Sequence, residues 1–485
     1  MSARHRNFAW IGTAAVALAG CAVGPDYRAP VTPPSAAGAF VSTAPSSAAT
    51  EGVPPDWWRL YNDPVLDRLV REALVENQDL KVAAANLANA EALVSQARAG
   101  LFPSTTATVS AQRERTATAA SGVSSFEGTK QSALNTYSTG FSAAYQLDLF
   151  GQIRRSIEAA KANAQSVEAA QDAVRVTVAA ETAAAYANVC GYAEQAAVAR
   201  HSVRIIQDTF DITVRQRDAG ALSDFDVARQ ATLLEQARAI VPTFEGQRRA
   251  ALFELTALLG KTPAEAPADA AACQTPPKLA HPLPVGDGAA LLRRRPDVRQ
   301  ADRLLASETA RIGVAVAGLY PSVSLGGSIS GTATQPSRMF NYNAVAFSVG
   351  PLITWSFPNT LVALAEIREA RAVASGALAS FDSTVVQALK ETEQALTTYA
   401  AELDRHAALN AARDRANEAF RLAKIQYDAG TTSFLDLLTS ETTVVTADQA
   451  LAASDQLISS DQVAVFQALG GGWEDAPAVT APKVG

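Results

Sequence analysis

The chain has 485 residues, enough for two or three domains, and a formal net charge of -7 with only short basic clusters, which excludes a nucleic-acid partner held by a basic face. It is 48% hydrophobic but only 7% aromatic, and alanine supplies much of the apolar count. Enzyme chemistry finds little support: the four histidines lack metal-ligand spacing, no Gly-x-Ser-x-Gly elbow occurs, and Gly260-Lys261-Thr262 imitates a phosphate loop with Leu255 where that loop needs glycine.

Arg4 and Arg6 open the chain, and residues 8–19 form an apolar run too short to span a bilayer. The run ends in Leu18-Ala19-Gly20-Cys21, which resembles the bacterial lipoprotein box. That resemblance implies a signal peptide over 1–20 and a diacylglycerol and N-acyl group on Cys21. It is the one covalent group expected; no metal and no other cofactor is. Each buried CH₂ of the acyl chains contributes about 0.8 kcal/mol to anchoring. Ala22 follows Cys21, where an aspartate would favour inner-membrane retention, so release to the outer membrane is implied. No later segment has the ~18 apolar residues of a spanning helix, so any membrane crossing must use strands. Cys190, within a helix, and Cys273, in a connector, are either a disulfide or two independent thiols; spacing leaves both open.

Residues 21–55 are rich in Pro, Ala and Ser and should be extended, with little core of their own. Helical pattern begins near 56 and runs toward Ala99. Gly100-Leu101-Phe102-Pro103-Ser104 breaks it, and strand-like sequence follows at about 104–115 and 136–149, around a polar loop. A proline-free helix spans about 153–217, roughly 100 Å at ~1.5 Å per residue. Asp218-Ala219-Gly220 stops it, Ser223 or Asp224 can cap a helix over about 225–259, and Pro242 should kink or stagger that helix. A linker rich in Pro and Ala covers 261–288.

Then the order returns. Gly318-Leu319-Tyr320-Pro321-Ser322 echoes the break at Gly100, and Asp428-Ala429-Gly430 echoes the stop at Asp218. Ser433 and Asp436 echo Ser223 and Asp226, and Leu469-Gly470 echoes Leu259-Gly260. One unit of helix, two strands, long helix, turn and helix therefore occurs twice, over 56–260 and 289–470, with a tail at 471–485. The second copy places strands at about 322–331 and 344–357, a long helix at about 361–427 and a last helix at about 433–469. Val385, Leu389, Thr392, Leu396, Tyr399 and Leu403 step along the second long helix at heptad spacing, which favours helix-on-helix packing. Val323, Leu325, Gly327 and Ile329 alternate with serine and glycine, and aromatics gather at the strand ends. Strands of this length cross a bilayer when tilted, with an interfacial aromatic girdle; the competing reading is a soluble four-stranded sheet. Four spanning strands cannot close a barrel, and open edges in lipid leave backbone groups unsatisfied, so a spanning sheet requires more than one copy.

Gly24-Pro25-Asp26-Tyr27, Trp57-Trp58 with Asp63-Pro64, Asn77-Gln78-Asp79-Leu80, Leu101-Phe102-Pro103, Arg294-Arg295-Pro296-Asp297-Val298 and Tyr427-Asp428-Ala429-Gly430 resemble, in order, motifs of the TolC-like outer-membrane factors, in the branch of NodT-type lipoprotein channels. The resemblance implies an α+β membrane protein: a homotrimer with a twelve-stranded β-barrel, four strands per chain, continued by a periplasmic α-helical barrel. It implies a passive exit duct for small solutes or drugs, with a periplasmic adaptor and an inner-membrane RND-type pump as partners, lipid-anchored in the outer membrane. By matching motifs, the adaptor-docking tips are Gly220, Ser223 and Asp224 in the first copy and Gly430, Thr432 and Ser433 in the second. Some relatives carry two acidic gate residues after the second tip. Asp436 stands at the first position and Thr439 at the second, a departure from a doubly acidic constriction. For Asp224, Asp226 and Asp436 the competing role is helix capping, more so for Asp224 than for Asp436. Rival functions are the channel of a type I protein secretion system and, more remotely, a periplasmic helical-rod scaffold.

Overall fold

A computed structural model of the chain describes residues 22–42, 48–49, 52–115, 133–279, 281–358 and 360–482. Residues 1–20, Cys21 and most of the first polar loop lie outside the described residues. Two compact units are formed. One comprises the described parts of Met1–Ala29, Asn89–Ser166 and Asp302–Ser380; the other comprises those of Pro30–Ala88, Val167–Ala301 and Phe381–Gly485.

The first unit holds one antiparallel sheet. Its strands are β1 (Ser104–Glu114), β2 (Leu134–Leu147), β3 (Ser322–Ala333) and β4 (Val345–Thr354), in the order β1-β2-β3-β4. The pairing of β2 with β3, from Tyr137↔Ala333 to Leu147↔Val323, joins the two halves of the sequence. The two-residue period separates the faces. Phe141 pairs with Ile329 and Ile329 with Phe347; Leu147 pairs with Val323 and Val323 with Ile353. On the opposite face Ser142 pairs with Ser328 and Ser328 with Ser348, whose hydroxyls lie 2.8 Å apart. The apolar face is uncovered within the chain: Phe347 is 80% and Val349 78% exposed. At the strand ends nearest the helices, Phe150 stacks on Tyr320 at 4.5 Å and Trp355 on Phe357 at 4.8 Å. The Trp355 indole donates to the Leu319 carbonyl at 3.2 Å.

Residues 22–29 dock beside this sheet. The Val23 amide donates to the Phe150 carbonyl, and the buried Arg155 guanidinium donates to the Val23 and Gly24 carbonyls and to Asp26. Gly24 has a φ of 95°, and a Cβ there would sit 2.4 Å from the Gly313 Cα, so only glycine at 24 permits the approach. Further on, Phe40 and Val53 are buried in the core of the second unit. The described parts of 22–55 are thus packed against other elements of the chain.

Among the described residues the helices of seven residues or more are α1 (Pro64–Glu76), α2 (Gln78–Ala99), α3 (Gln152–Asp218), α4 (Asp224–Leu258), α5 (Gly288–Arg294), α6 (Pro296–Ala317), α7 (Leu361–Asp428) and α8 (Phe434–Ala468). The long pair α3 and α7 have 67 and 68 residues, and α4 and α8 have 35 each. Among the described residues no helix is long and apolar enough to cross a membrane. α4 continues through Pro242. The helical run at 56–99 is not continuous. A 3₁₀ turn, Trp57–Tyr61, precedes α1, and Asn77 divides α1 from α2. Asn77 is buried; its Oδ1 accepts from the Asp79 and Leu80 amides, and its Nδ2 donates to the Leu258 carbonyl.

The second unit is centred on Trp57, fully buried and stacked on Phe466 at 4.5 Å, with Leu66, Leu69, Leu255, Leu259 and Leu469 around it. Each such leucine contributes about 1.5–3 kcal/mol on leaving water. Asp63 caps α1 by accepting from the Val65 and Leu66 amides and also accepts from the Tyr186 hydroxyl. The Arg294 and Arg295 guanidinia donate to the Leu469 and Ala468 carbonyls, capping the end of α8, while Arg295 pairs with Asp297 and Glu391. Cys190 and Cys273 form a disulfide across 83 residues of sequence. Closing a loop of that length restricts the unfolded chain by about 4–5 kcal/mol on the chain-entropy account.

Candidate functional site

The two helical turns lie in the second unit and share one backbone solution. Gly220 has a φ of 76° and Gly430 one of 71°. At the first turn the Gly220 amide donates to the Arg217 carbonyl and the Ala221 amide to that of Gln216. At the second, Gly430 donates to Tyr427 and Thr431 to Gln426. Both are Schellman closures, in which a left-handed residue satisfies the last helical carbonyls. The next helix then opens on a capping box. Ser223 accepts from the Asp226 amide while Asp226 accepts from the Ser223 amide and hydroxyl; Ser433 and Asp436 do the same.

These boxes correct the expected roles of the acids. Ser223, not Asp224, is the cap of α4. Asp224 is the first residue of that helix and pairs with Arg217 at 3.2 Å. Asp436, for which capping was expected less than for Asp224, is the box carboxylate of α8. The Ser433 hydroxyl, then the Thr432 hydroxyl at 3.1 Å and the Ser433 amide, hold it below the ordinary carboxylate range. The Ser223 hydroxyl and amide do the same to Asp226. Asp436 remains exposed to solvent. Thr439 is also exposed, and its hydroxyl donates to the Leu435 carbonyl at 2.8 Å, a bond within its own helix.

The turns are brought together by packing. Leu222 of the first rests on the cluster of Phe434, Leu437 and Leu438 that follows the second. The Tyr427 hydroxyl donates to Gln216, and Tyr427 lies 5.9 Å from the Phe434 ring. Arg229 of α4 sits over Phe434 at 5.8 Å. Sequence reasoning missed Glu441, five residues beyond Asp436 and only 1% exposed. Its carboxylate accepts from the Thr209 hydroxyl of α3 at 2.8 Å and from the Gln230 amide of α4 at 3.5 Å.

The outer membrane efflux protein family model matches residues 69–261 and again 289–471. Over 466 residues the chain is 30% identical to Nodulation protein T of Rhizobium leguminosarum bv. viciae, covering 96% of this chain and 93% of that one. It is also 30% identical to the antibiotic efflux pump outer membrane protein ArpC of Pseudomonas putida, covering 96% and 95%. The solved outer-membrane channel OprN superposes with a TM-score of 0.85 at 35% identity, over 93% of this chain and 100% of that one. Fold and matches together define an outer-membrane channel component of an efflux system. The chain belongs to the outer membrane efflux protein family.

Proposed function

We propose that three copies of the chain close a twelve-stranded barrel in the outer membrane and that their long helices form its periplasmic extension. The assembly is the passive exit duct of a tripartite pump. A periplasmic adaptor docks at the turns around Gly220, Ser223, Asp224, Gly430, Thr432 and Ser433, and an inner-membrane RND-type pump drives the solute. Asp436 and Thr439 stand at the constriction. The two halves of the chain are repeats of one unit, in keeping with the double match of the family model.

The observation that carries this reading is the sheet. One face is an exposed apolar band through Phe141, Ile329 and Phe347; the other is a row of serines, Ser142, Ser328 and Ser348. Lipid suits the first face and water the second. Among the described residues, β1 and β4 each keep one edge without a strand partner. Such edges in lipid cost several kcal/mol per unsatisfied group, and a closed barrel needs at least about eight strands. The count of three follows the family resemblance. Native mass spectrometry in detergent tests it: a homotrimer is expected, and a monomer stable in water without detergent contradicts it.

Lipidation of Cys21 completes the proposal. The adjoining Ala22 packs against Gly151, just past the end of β2, which supports an anchor held at the barrel rim. Palmitate labelling should mark the wild type and not Cys21→Ser.

A further inference from the structure

Glu441 is a carboxylate shut inside a helical bundle. On the turn side it meets the apolar layer of Phe434, Leu437 and Leu438; beyond it lies the layer of Ile206, Leu234 and Ala237, against which Val445 packs. Its two donors, Thr209 and Gln230, are neutral, and no cation among the described residues is bonded to it. A buried charge held only by neutral donors is costly, while the protonated acid is not. Gln230 adds a second sign. It is fully buried, its amide nitrogen donates to the Ile206 carbonyl and to Glu441, and its Oε1 has no donor. An ionised Glu441 has no proton to offer a neighbouring acceptor; a protonated one has.

Room for water lies beside the site, on the Thr209 side of it. A cavity of about 100 Å³ is lined by Thr209, Ile212, Phe420, Lys424 and Phe434, large enough for more than one water. The titratable and charged groups beside the site are Asp208 of α3, Arg229 of α4, and Lys424, Tyr427 and Asp428 of α7. Asp208, Lys424 and Asp428 line the cavity, and Arg229 is engaged over Phe434. Burial pushes the carboxyl up to about 7, against the Thr209 and Gln230 donors and then Lys424, which favour the ionised form.

We infer that Glu441 is a protonation-controlled latch in the helical tip: neutral, it locks α3, α4 and α8 together, and ionised, it loosens them and favours opening of the periplasmic end. The last clause rests on the proposed role of the turns as the channel entrance; the locking does not. A carboxyl raised in the folded state stabilises the fold at low pH and loses that contribution as pH climbs from its unfolded value toward its folded one. The tip is therefore tighter in acid and looser in base.

The full assembled protein in detergent provides the test. Hydrogen exchange in segments 203–212 and 437–448 is compared between wild type and Glu441→Gln at matched pH, at about pH 5.5 and about pH 8.5, with conductance recorded in planar bilayers at both. The two proteins should exchange alike in acid. In base the wild type should exchange about tenfold faster or more, at least one pKa unit's worth of linkage, and only its conductance should rise with pH. An equal pH response in the two proteins overturns the latch. Thr209→Val, which removes a donor to the ionised form, should move the wild-type transition to higher pH; an unmoved transition also overturns it. Exchange that responds as expected beside a flat conductance upholds the latch and rejects the turns as the entrance.

Discussion

The two helical turns share a backbone and differ in charge. Each has a left-handed glycine, a Schellman closure and a Ser/Asp capping box. In the first, Asp224 faces Arg217 at 3.2 Å and Asp226 faces Arg229 at 3.9 Å. In the second, Asp436 meets only the neutral donors of Thr432 and Ser433. Shape is thus fixed twice by the same local chemistry, and among the described residues the box carboxylate faces a cation at the first turn only. On the proposed oligomer, that asymmetry makes the second turn the place where carboxylates would meet a passing ion.

The largest effect should come from breaking what the turns share. Gly430→Val forces a β-branched residue to a φ of 71°, which costs about 1–2 kcal/mol or more in backbone strain. No atom lies within 4 Å of the added Cβ, so the loss is conformational and not steric. Denaturant midpoints should fall, and Gly220→Val should fall by a like amount. Unequal losses would show that the turns are not equivalent in backbone.

Next comes the difference between them. Asp436→Asn should reduce cation preference and alter single-channel conductance, whereas Asp226→Asn should leave both unchanged. Equal effects would erase the asymmetry. Acid sharpens the same point. Both box carboxylates are held below their ordinary value of 3.8, so their stabilising contribution is complete above that value and is lost as pH falls below it. Glu441 acts with the opposite sign and higher, between 4.5 and about 7. Acidification should therefore tighten the helical bundle before it undoes the caps, visible as a stability maximum on the acid side of neutrality. The smallest effect belongs to Arg217→Ala: the pair with Asp224 is exposed, and stability should not measurably change.

What the sequence revealed here was punctuation. Gly220, Gly430, Ser223 and Ser433 act through their own backbone neighbourhood, so their meaning is local and readable. The alternation in β3 and β4 was readable for the same reason, since each residue's face follows from its parity. The break at Asn77 was not, because its capping amide needs the Leu258 carbonyl from a distant helix. The Arg295-Pro296 break carried a signal, the restriction a proline places on the residue before it. Ser223 and Asp224 could not be separated as caps, and Asp436 was ranked below Asp224, because a shift of one or two positions decides which residues close a box. Glu441 gave no warning at all. It sits in a threonine-rich helix and reads as a solvated residue until Thr209 and Gln230 close over it. Cys190 and Cys273 likewise needed the fold to bring them together.

The division of the sheet into a lipid face and a water face underlies the whole account, and single cysteines test it most directly. Placed at Ser324, Ser328 and Ser348, they should react with a membrane-impermeant, water-soluble maleimide in the intact assembly. Placed at Ile329, Phe347 and Val349, they should resist it and accept only a lipophilic reagent. Uniform labelling of both sets by the water-soluble reagent would contradict the barrel.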